Sequence, residues 1–432
     1  METVQGLLTR RCTRVALHQV RYKKQMYRNR KPPTWASQVA LDMFDQYYKR
    51  QFGTRWSSIR LALLSEPKHA ALVNNYGHAP EAVCAYLEAL GAVDIMDANV
   101  QQALRPVRRA KRGVQGAAHV ATVQEETKTV EHSWSEESMY DDDDDDVPNP
   151  VTGEPGLTGG VSGQDSPVSL PDIPTNLRLL SMADTSRFPQ AKPDPDGILT
   201  YYVLDAASVL PVLALNLKPG DIVLDMCAGP GGKTLAIINT SVSLSGIIAN
   251  EPKASRCKRL NQVLRLYLQR GLSVQKGVKV TSFDGCRWGK MSPNSFDKVL
   301  VDVPCTSDRH SLTHDEKTNI FHVSRLRERT ELPDLQVKLL SSALAAVRPG
   351  GEVVYSTCTM SQMQNEGVVY MAMEHANQTS NILTEVADVS NLVQFFQQTF
   401  TFSEGCRIGA LVLPSLPNNW GPMYFCRLRR IN

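Results

Sequence analysis

Short apolar runs alternate with amphipathic stretches along the second half of the chain. Ile222–Met226, Ile247–Ala249, Val278–Thr281, Val299–Val303 and Glu352–Ser356 are short and mostly apolar, as strands buried on both faces of a sheet are. Between them Ala206–Leu215, Lys233–Asn239, Ala254–Leu268 and Leu335–Val347 carry helical spacing, the first stopped by Lys218-Pro219-Gly220. Two late runs, Gly409–Leu413 and Met423–Leu428, suit an antiparallel pair that closes the sheet. Strands alternating with helices predict an α/β fold with a doubly wound, mostly parallel sheet of seven strands.

The stretch before it reads differently. Ala40, Leu41, Met43, Phe44, Tyr47 and Tyr48 form a helical stripe, and Ile59, Leu61, Leu63 and Leu64, then Ala70–Val73 and Val83–Leu90, extend a small helical N-terminal unit over residues 32–104. Phe52 and Trp56 are expected as packing anchors in it rather than as a base-stacking platform. Residues 105–180 then bring a basic cluster, six consecutive aspartates (Asp141–Asp146) and Gly/Pro/Ser-rich sequence. Little there can bury apolar area, so the stretch is expected to be a disordered acidic insertion, its aspartates a solvated charge block and not a metal site.

Charge changes the picture at the two ends of that first part. The formal net charge of +3 over 432 residues hides an asymmetry: residues 1–31 carry nine Lys/Arg against Glu2 alone, and residues 104–180 carry fourteen acids against seven bases. The remainder is close to neutral, so bulk charge does not itself argue for nucleic acid. The Arg-rich, acid-poor first segment, with Leu7, Leu8, Val15 and Leu17 on one helical face, reads as a mitochondrial transit peptide, against a basic tail for a polyanion. No apolar run reaches the roughly 18 residues of a membrane span. Nine cysteines without a C-x-x-C pair suit free thiols in a reducing compartment.

Candidate chemistry begins at the first strand-to-helix turn, Asp225-Met226-Cys227-Ala228-Gly229-Pro230-Gly231-Gly232-Lys233-Thr234. A P-loop needs glycine where Cys227 stands, and a dinucleotide fingerprint needs it at Thr234. Both nucleotide readings therefore fail on one residue. Glu251 ends the next strand 22 residues past Gly229, where a carboxylate can take two ribose hydroxyls, and Asp284-Gly285 follows the third strand. Singly these acids read as caps or turns. In order at successive strand ends, without a phosphate cradle, they favour S-adenosylmethionine.

Cys305 and Cys358 follow two further strands, so both face the crevice where open α/β sheets bind ligands. Either alone reads as a small buried hydrophobe. The pair suits methylation of pyrimidine carbon 5, in which a thiolate adds to C6, makes C5 nucleophilic and later leaves. Asp302 stands three residues before Cys305, positioned for N3 and the exocyclic amine of the base. Were it to donate a proton, burial would have to raise its pKa. Cys227, in the Gly-rich turn, is expected to line the cofactor pocket. Spacing does not decide which of Cys305 and Cys358 attacks.

These motifs resemble the Nop/Sun family of RNA 5-methylcytosine methyltransferases. Asp225–Thr234 is similar to its cofactor loop, with Gly229 where alanine is more usual, and Asp302-Val303-Pro304-Cys305 and Ser356-Thr357-Cys358 are similar to its two catalytic motifs. The resemblance implies a Rossmann-like class I methyltransferase over 181–432. It also implies that Cys358 attacks C6, Cys305 helps product release and Asp302 contacts the base. Gly231, Gly232, Lys233, Glu251, Arg256, Asp284 and Gly285 would hold S-adenosylmethionine, with Asp302 at its edge and glutamate at 251 replacing an expected aspartate. Phe44-Asp45, Gln51-Phe52-Gly53, Leu63-Leu64-Ser65-Glu66, Ala71-Leu72-Val73-Asn74-Asn75 and the tail Gly421-Pro422-Met423-Tyr424-Phe425-Cys426 look like the family's mitochondrial branch, which acts on small-subunit ribosomal RNA. That branch implies the mitochondrial matrix, mitochondrial ribosomal RNA and ribosomal subunits, and a heterodimer with a mitochondrial transcription termination factor-like protein that supplies phosphate contacts. The alternatives are a mitochondrial transfer RNA substrate, or a ribosome-assembly scaffold whose methylation is dispensable.

Deleting residues 113–174 is expected to leave methylation and thermal stability largely intact, and a melting curve with an activity assay checks it; a large loss in either would show that the stretch packs or binds substrate.

Overall fold

The computed structural model describes residues 35–103, 173–174, 176–269, 277–313 and 317–432. The expected transit peptide over 1–31 and nearly all of the expected insertion lie outside the described residues. The chain opens with helices α1 (Ala36–Phe52) and α2 (Trp56–Leu64), then strand β1 (Ala70–Val73), helix α3 (Pro80–Ala89), strand β2 (Ala92–Asp94) and helix α4 (Ile95–Ala103). The unit is helix-rich as expected, but Ala70–Val73, grouped with its helices on sequence, is a strand. Its four residues are buried on both faces, and so short an apolar run carries no periodicity that separates strand from helix. It is completed by β3 (Leu179–Met182) and β4 (Tyr201–Leu204), more than a hundred residues on, in an antiparallel sheet of order β2-β3-β1-β4. β3 begins inside the stretch assigned to the insertion, ahead of the expected domain start at 181.

Strands β5 (Ile222–Asp225), β6 (Gly246–Asn250), β7 (Val278–Thr281), β8 (Phe296–Asp302) and β9 (Val347–Thr357) lie parallel in the order β7-β6-β5-β8-β9. Two short strands, β10 (Thr384–Ala387) and β11 (Thr401–Phe402), precede β12 (Ala410–Leu413) and β13 (Met423–Arg430). β13 adds antiparallel to β9 and β12 to β13, completing the seven predicted strands; β10 and β11 widen the sheet to nine. Side chains alternate across each strand. Val223, Leu300 and Val354 enter the core shared with α5 (Gly232–Asn239) and α6 (Ala254–Tyr267). Leu224, Val299, Val301 and Tyr355 enter the opposite core with α7 (Leu332–Ala346) and α8 (Glu366–Ser380).

The N-terminal helices complete that second core. Phe44, Tyr48, Trp56 and Ile59 are each 4% exposed within it. Trp56 is the packing anchor the sequence suggested: its ring meets Tyr48 edge-on at 5.5 Å and its indole N–H donates to Asp45 at 2.9 Å. Burying a ring of that size contributes about 3 kcal/mol. The C-terminal tail locks the same region. Asn419 donates to the carbonyls of Ala62 and Glu66, both at 2.9 Å, and Arg309 donates to Gly421 O and Asn419 Oδ1, both at 2.8 Å. α2, the tail and the short helix Asp308–Thr313 are thus tied together just behind Cys305.

Tyr48 also donates its hydroxyl to the buried Asp308 carboxylate at 2.7 Å. Tyr48→Phe keeps the ring packing and removes that bond, so it is expected to lower unfolding stability by about 2 kcal/mol, read as a fall in the urea midpoint at unchanged slope.

Candidate active site

The Gly-rich turn leaves β5 at Asp225 and becomes α5 at Gly232. Asp225 is fully buried, accepts a 2.6 Å bond from Thr234 Oγ1, and leaves its Oδ1 without a partner. Burial pushes its pKa up to about 7. Gly231 has φ +121°, a conformation only glycine adopts without strain, and lets the chain turn into α5 against Leu260 and Val263.

Gly229 and Glu251 fit each other. A Cβ at 229 would stand 2.5 Å from Glu251 Oε2. That carboxylate is 1% exposed and cannot step aside freely. Its Oε1 accepts from Lys253 N at 3.0 Å, and its Oε2 lies 3.3 Å from Arg256 Nη2, which also donates to Gly229 O at 2.6 Å. The two departures from the family pattern, glycine for alanine and glutamate for aspartate, therefore compensate: the missing methyl makes room for the longer arm.

A cavity of about 830 Å³ opens along these strand ends, lined in part by Cys227, Glu251, Arg256, Asp284, Gly285 and Asp302. Five of the eight residues expected to hold the cofactor thus line one cavity, with Cys227 beside them as expected. Gly231 and Gly232 shape the turn without lining it. Lys233 does not line it directly but reaches its edge: its ammonium sits 2.9 Å from Oδ2 of the lining residue Asp302. Burial opposes the charge on Lys233, but the Asp302 carboxylate outweighs it and holds the pKa above the ordinary value. Asp302 Oδ1 accepts from Ser356 Oγ at 2.8 Å. Its side chain is 31% exposed, and both of its oxygens have hydrogen-bond donors.

Beyond Asp302 stand the two thiols. Asp302 and Ser356 are register partners in the parallel β8–β9 ladder, and the chains leaving them bring Cys305 Sγ to 3.3 Å from Cys358 Sγ. Both are free cysteines. They are not equivalent. The hydrogen bond to Cys358 raises the Cys305 pKa well above a normal thiol, and burial adds to it. The hydrogen bond from Cys305 lowers that of Cys358 against the opposing effect of burial, with help from Ser307. The lower-pKa sulfur is the better thiolate at neutral pH.

Sequence reasoning missed the residues that hold this pair. Ser307, φ +49°, places its Oγ 3.3 Å from Cys358 Sγ and 3.7 Å from Cys305 Sγ. Asp308 is 0% exposed and accepts from Tyr48 Oη, Thr306 Oγ1 and Met360 N at 2.7, 3.0 and 2.8 Å. Gln364 accepts from Thr306 N at 3.2 Å and from Gln336 Nε2 at 3.1 Å. The one local hint was an acid within three residues of Cys305; its partners come from α1, 260 residues earlier in the chain, and from the turn after Cys358.

A doubly wound sheet with a carboxylate-lined cavity at its strand ends and two unlinked thiols beside it defines a class: an S-adenosylmethionine-dependent methyltransferase that acts on carbon 5 of cytosine in RNA. The chain belongs to the 16S rRNA methyltransferase RsmB/F family, whose model matches residues 212–428. It is 41% identical to the 5-cytosine rRNA methyltransferase NSUN4 of Xenopus laevis over 100% of both chains, and 42% identical to that of Mus musculus over 95% of this chain and 93% of the other. The mitochondrial tRNA (cytosine(34)-C(5))-methyltransferase of Mus musculus is 37% identical over 61% of this chain and 73% of its own length. A crystal structure of a methyltransferase homologue from Pyrococcus horikoshii shares the fold, with TM-score 0.53 and 18% identity over 93% of this chain and 100% of that one. The cofactor is S-adenosylmethionine. Among the described residues, no helix is long and apolar enough to cross a membrane.

Gly229→Ala is expected to weaken S-adenosylmethionine binding about tenfold or more by displacing Glu251, and Gly229→Ala/Glu251→Asp to recover most of the loss; calorimetric titration of the cofactor checks both. Additive losses in the double variant would break the compensation.

Proposed function

We propose that this enzyme methylates cytosine in mitochondrial small-subunit ribosomal RNA through a covalent adduct on Cys358. The observation that carries the chemistry is the 3.3 Å pair of thiols with divergent acidities. Cys358, its thiolate favoured by the Cys305 S–H, adds to C6 of the ring. The C6–S bond forms and electron density moves towards N3 and C5. Asp302, an acceptor fixed by Lys233 and Ser356, takes a hydrogen bond from the exocyclic amine, and the Lys233 ammonium beside it offsets the charge that grows on the ring. When bound, S-adenosylmethionine supplies the electrophilic methyl group. Gly231 and Gly232 shape the loop, and Glu251, Arg256, Asp284 and Gly285 form the cofactor's wall. A water molecule then takes the C5 proton, the C5–H electron pair restores the C5–C6 double bond, the C6–S bond breaks with its pair leaving on Cys358, and Cys305, held protonated, donates a hydrogen bond to that thiolate.

The substrate reading rests on relatives. Those named for ribosomal RNA align along nearly the whole chain, including α1 and the tail, whereas the one named for mitochondrial transfer RNA covers 61% of it. That favours ribosomal RNA over the transfer RNA alternative. The Arg-rich first segment supports import into the mitochondrial matrix. A nearly neutral body supports a partner that contributes phosphate contacts, a mitochondrial transcription termination factor-like protein forming a heterodimer, and with it a role in assembling the small ribosomal subunit. Intact thiols and Asp302 argue against a pure scaffold.

Cys358→Ala is expected to abolish methyl transfer to organellar ribosomal RNA while retaining cofactor binding; full turnover would sink the proposal. Cys305→Ala is expected to accumulate an enzyme–RNA adduct that survives denaturation. Because Cys305 lowers the Cys358 pKa, losing it should raise that pKa, so the rate of adduct formation in Cys305→Ala should climb at higher pH than in the parent enzyme. An unshifted profile would remove Cys305 from thiolate stabilisation.

A further inference from the structure

A second cavity, of about 560 Å³, lies on the other side of the Cys358 loop. Its size is that of a site for one small polar ligand. One wall is the last turn of α1 with Arg55 just beyond it; the other is the turn Met360–Asn365 that follows Cys358 directly. Gln51 joins the walls, its Nε2 donating to Met360 O at 3.0 Å. Met360 is two residues from Cys358, a separation of at most about 7 Å.

Its charge is unbalanced. Arg50 is exposed and makes no ion pair or hydrogen bond among the described residues, and Arg55 reaches Glu404 only at 4.0 Å, with the glutamate side chain 92% exposed. The acid lining the cavity is Glu366, whose oxygens are taken by Arg407 N and Ile408 N at 2.6 and 3.1 Å and by Gln362 Nε2 at 3.0 Å. Glu366 therefore serves the fold and cannot neutralise the arginines. Two apolar side chains stand open at the mouth, Tyr47 at 56% and Met363 at 72% exposure, and Tyr47 has neither a ring partner nor a hydrogen bond among the described residues. Exposed, weakly paired guanidinium groups beside an unstacked aromatic ring are the combination that holds single-stranded nucleic acid: cations on phosphate, ring on base. A cation pair for a protein acid would not need the ring, and the enzyme must in any case present RNA to the sulfur next door.

We propose that this cavity is a subsite for the nucleotide adjoining the target cytosine, with Arg50 and Arg55 on its phosphate and its base against Tyr47 and Met363. The proposal rests on the reading that places the target base at Cys358. It also makes α1 part of the substrate site, and not only a packing helix.

The test uses the full chain and a ten-nucleotide single-stranded RNA with one central cytosine, binding being followed by fluorescence anisotropy across a salt series. Arg50→Ala/Arg55→Ala is expected to weaken binding at least tenfold and to make the dependence on log salt shallower by about 1, with melting temperature and S-adenosylmethionine affinity unchanged. Removing the base next to the cytosine should weaken binding to the parent enzyme about tenfold and have little further effect in Tyr47→Ala. Unchanged affinity and salt slope in the arginine variant, or an equal abasic penalty with and without Tyr47, overturns the subsite. Failure of Cys305→Ala to trap an adduct, with the arginine dependence intact, would instead overturn the assigned cysteine roles.

Discussion

Everything at the site depends on the parallel pairing of β8 and β9. That ladder sets Asp302 opposite Ser356, and the two chains then leave the sheet side by side, each delivering a cysteine a few residues later. Parallel neighbours end at the same edge of a sheet, which is why two residues 53 apart in sequence come within 3.3 Å. The ladder alone would leave two loose loops. The buried Asp308 carboxylate gathers them by accepting from the Cys305 loop, from the turn after Cys358 and from α1 at once. Burial raises its pKa, opposed by those same hydrogen bonds, so its charge is tolerated only while all its donors are in place.

Once the sulfurs touch, their acidities diverge. The hydrogen bond between the sulfurs raises the pKa of Cys305 and lowers that of Cys358. Ser307 and the nearby Lys233 also act on Cys358, whose pKa falls despite its burial. The same Lys233 fixes the Asp302 carboxylate, so a single cation connects Asp302 to Cys358. The carboxylate-lined cavity, Asp302 and the two thiols are consecutive along one sheet edge.

Much of this was legible in the chain. Strand runs bounded by helical stretches predicted the sheet, and seven of its nine strands were in place from apolar pattern alone. The Gly-rich turn, Glu251 and Asp284 could be ordered as a cofactor wall because each follows a strand, and strand ends share one edge. Ala70–Val73 was not legible, since four apolar residues fit either structure and its partners β3 and β4 lie across the insertion. The partner of Lys233 was not legible either: its place in the turn puts it near the cofactor, and only the neighbouring strand reveals Asp302 beside its ammonium.

Residue types at strand ends therefore determined, without coordinates, that this chain carries two thiols, an acid and a phosphate-free cofactor turn in one crevice. Tertiary structure decided what passes between them. It brought the sulfurs close enough for one to tune the other, matched Gly229 to the longer arm of Glu251, and set α1 against the Cys358 loop with Arg50 unpaired among the described residues and Arg55 held only by a 4.0 Å contact to exposed Glu404. The reason is physical: pattern and spacing act along the chain, whereas hydrogen bonds, pKa shifts and steric fit fall off over a few ångströms of space between residues that the sequence holds far apart.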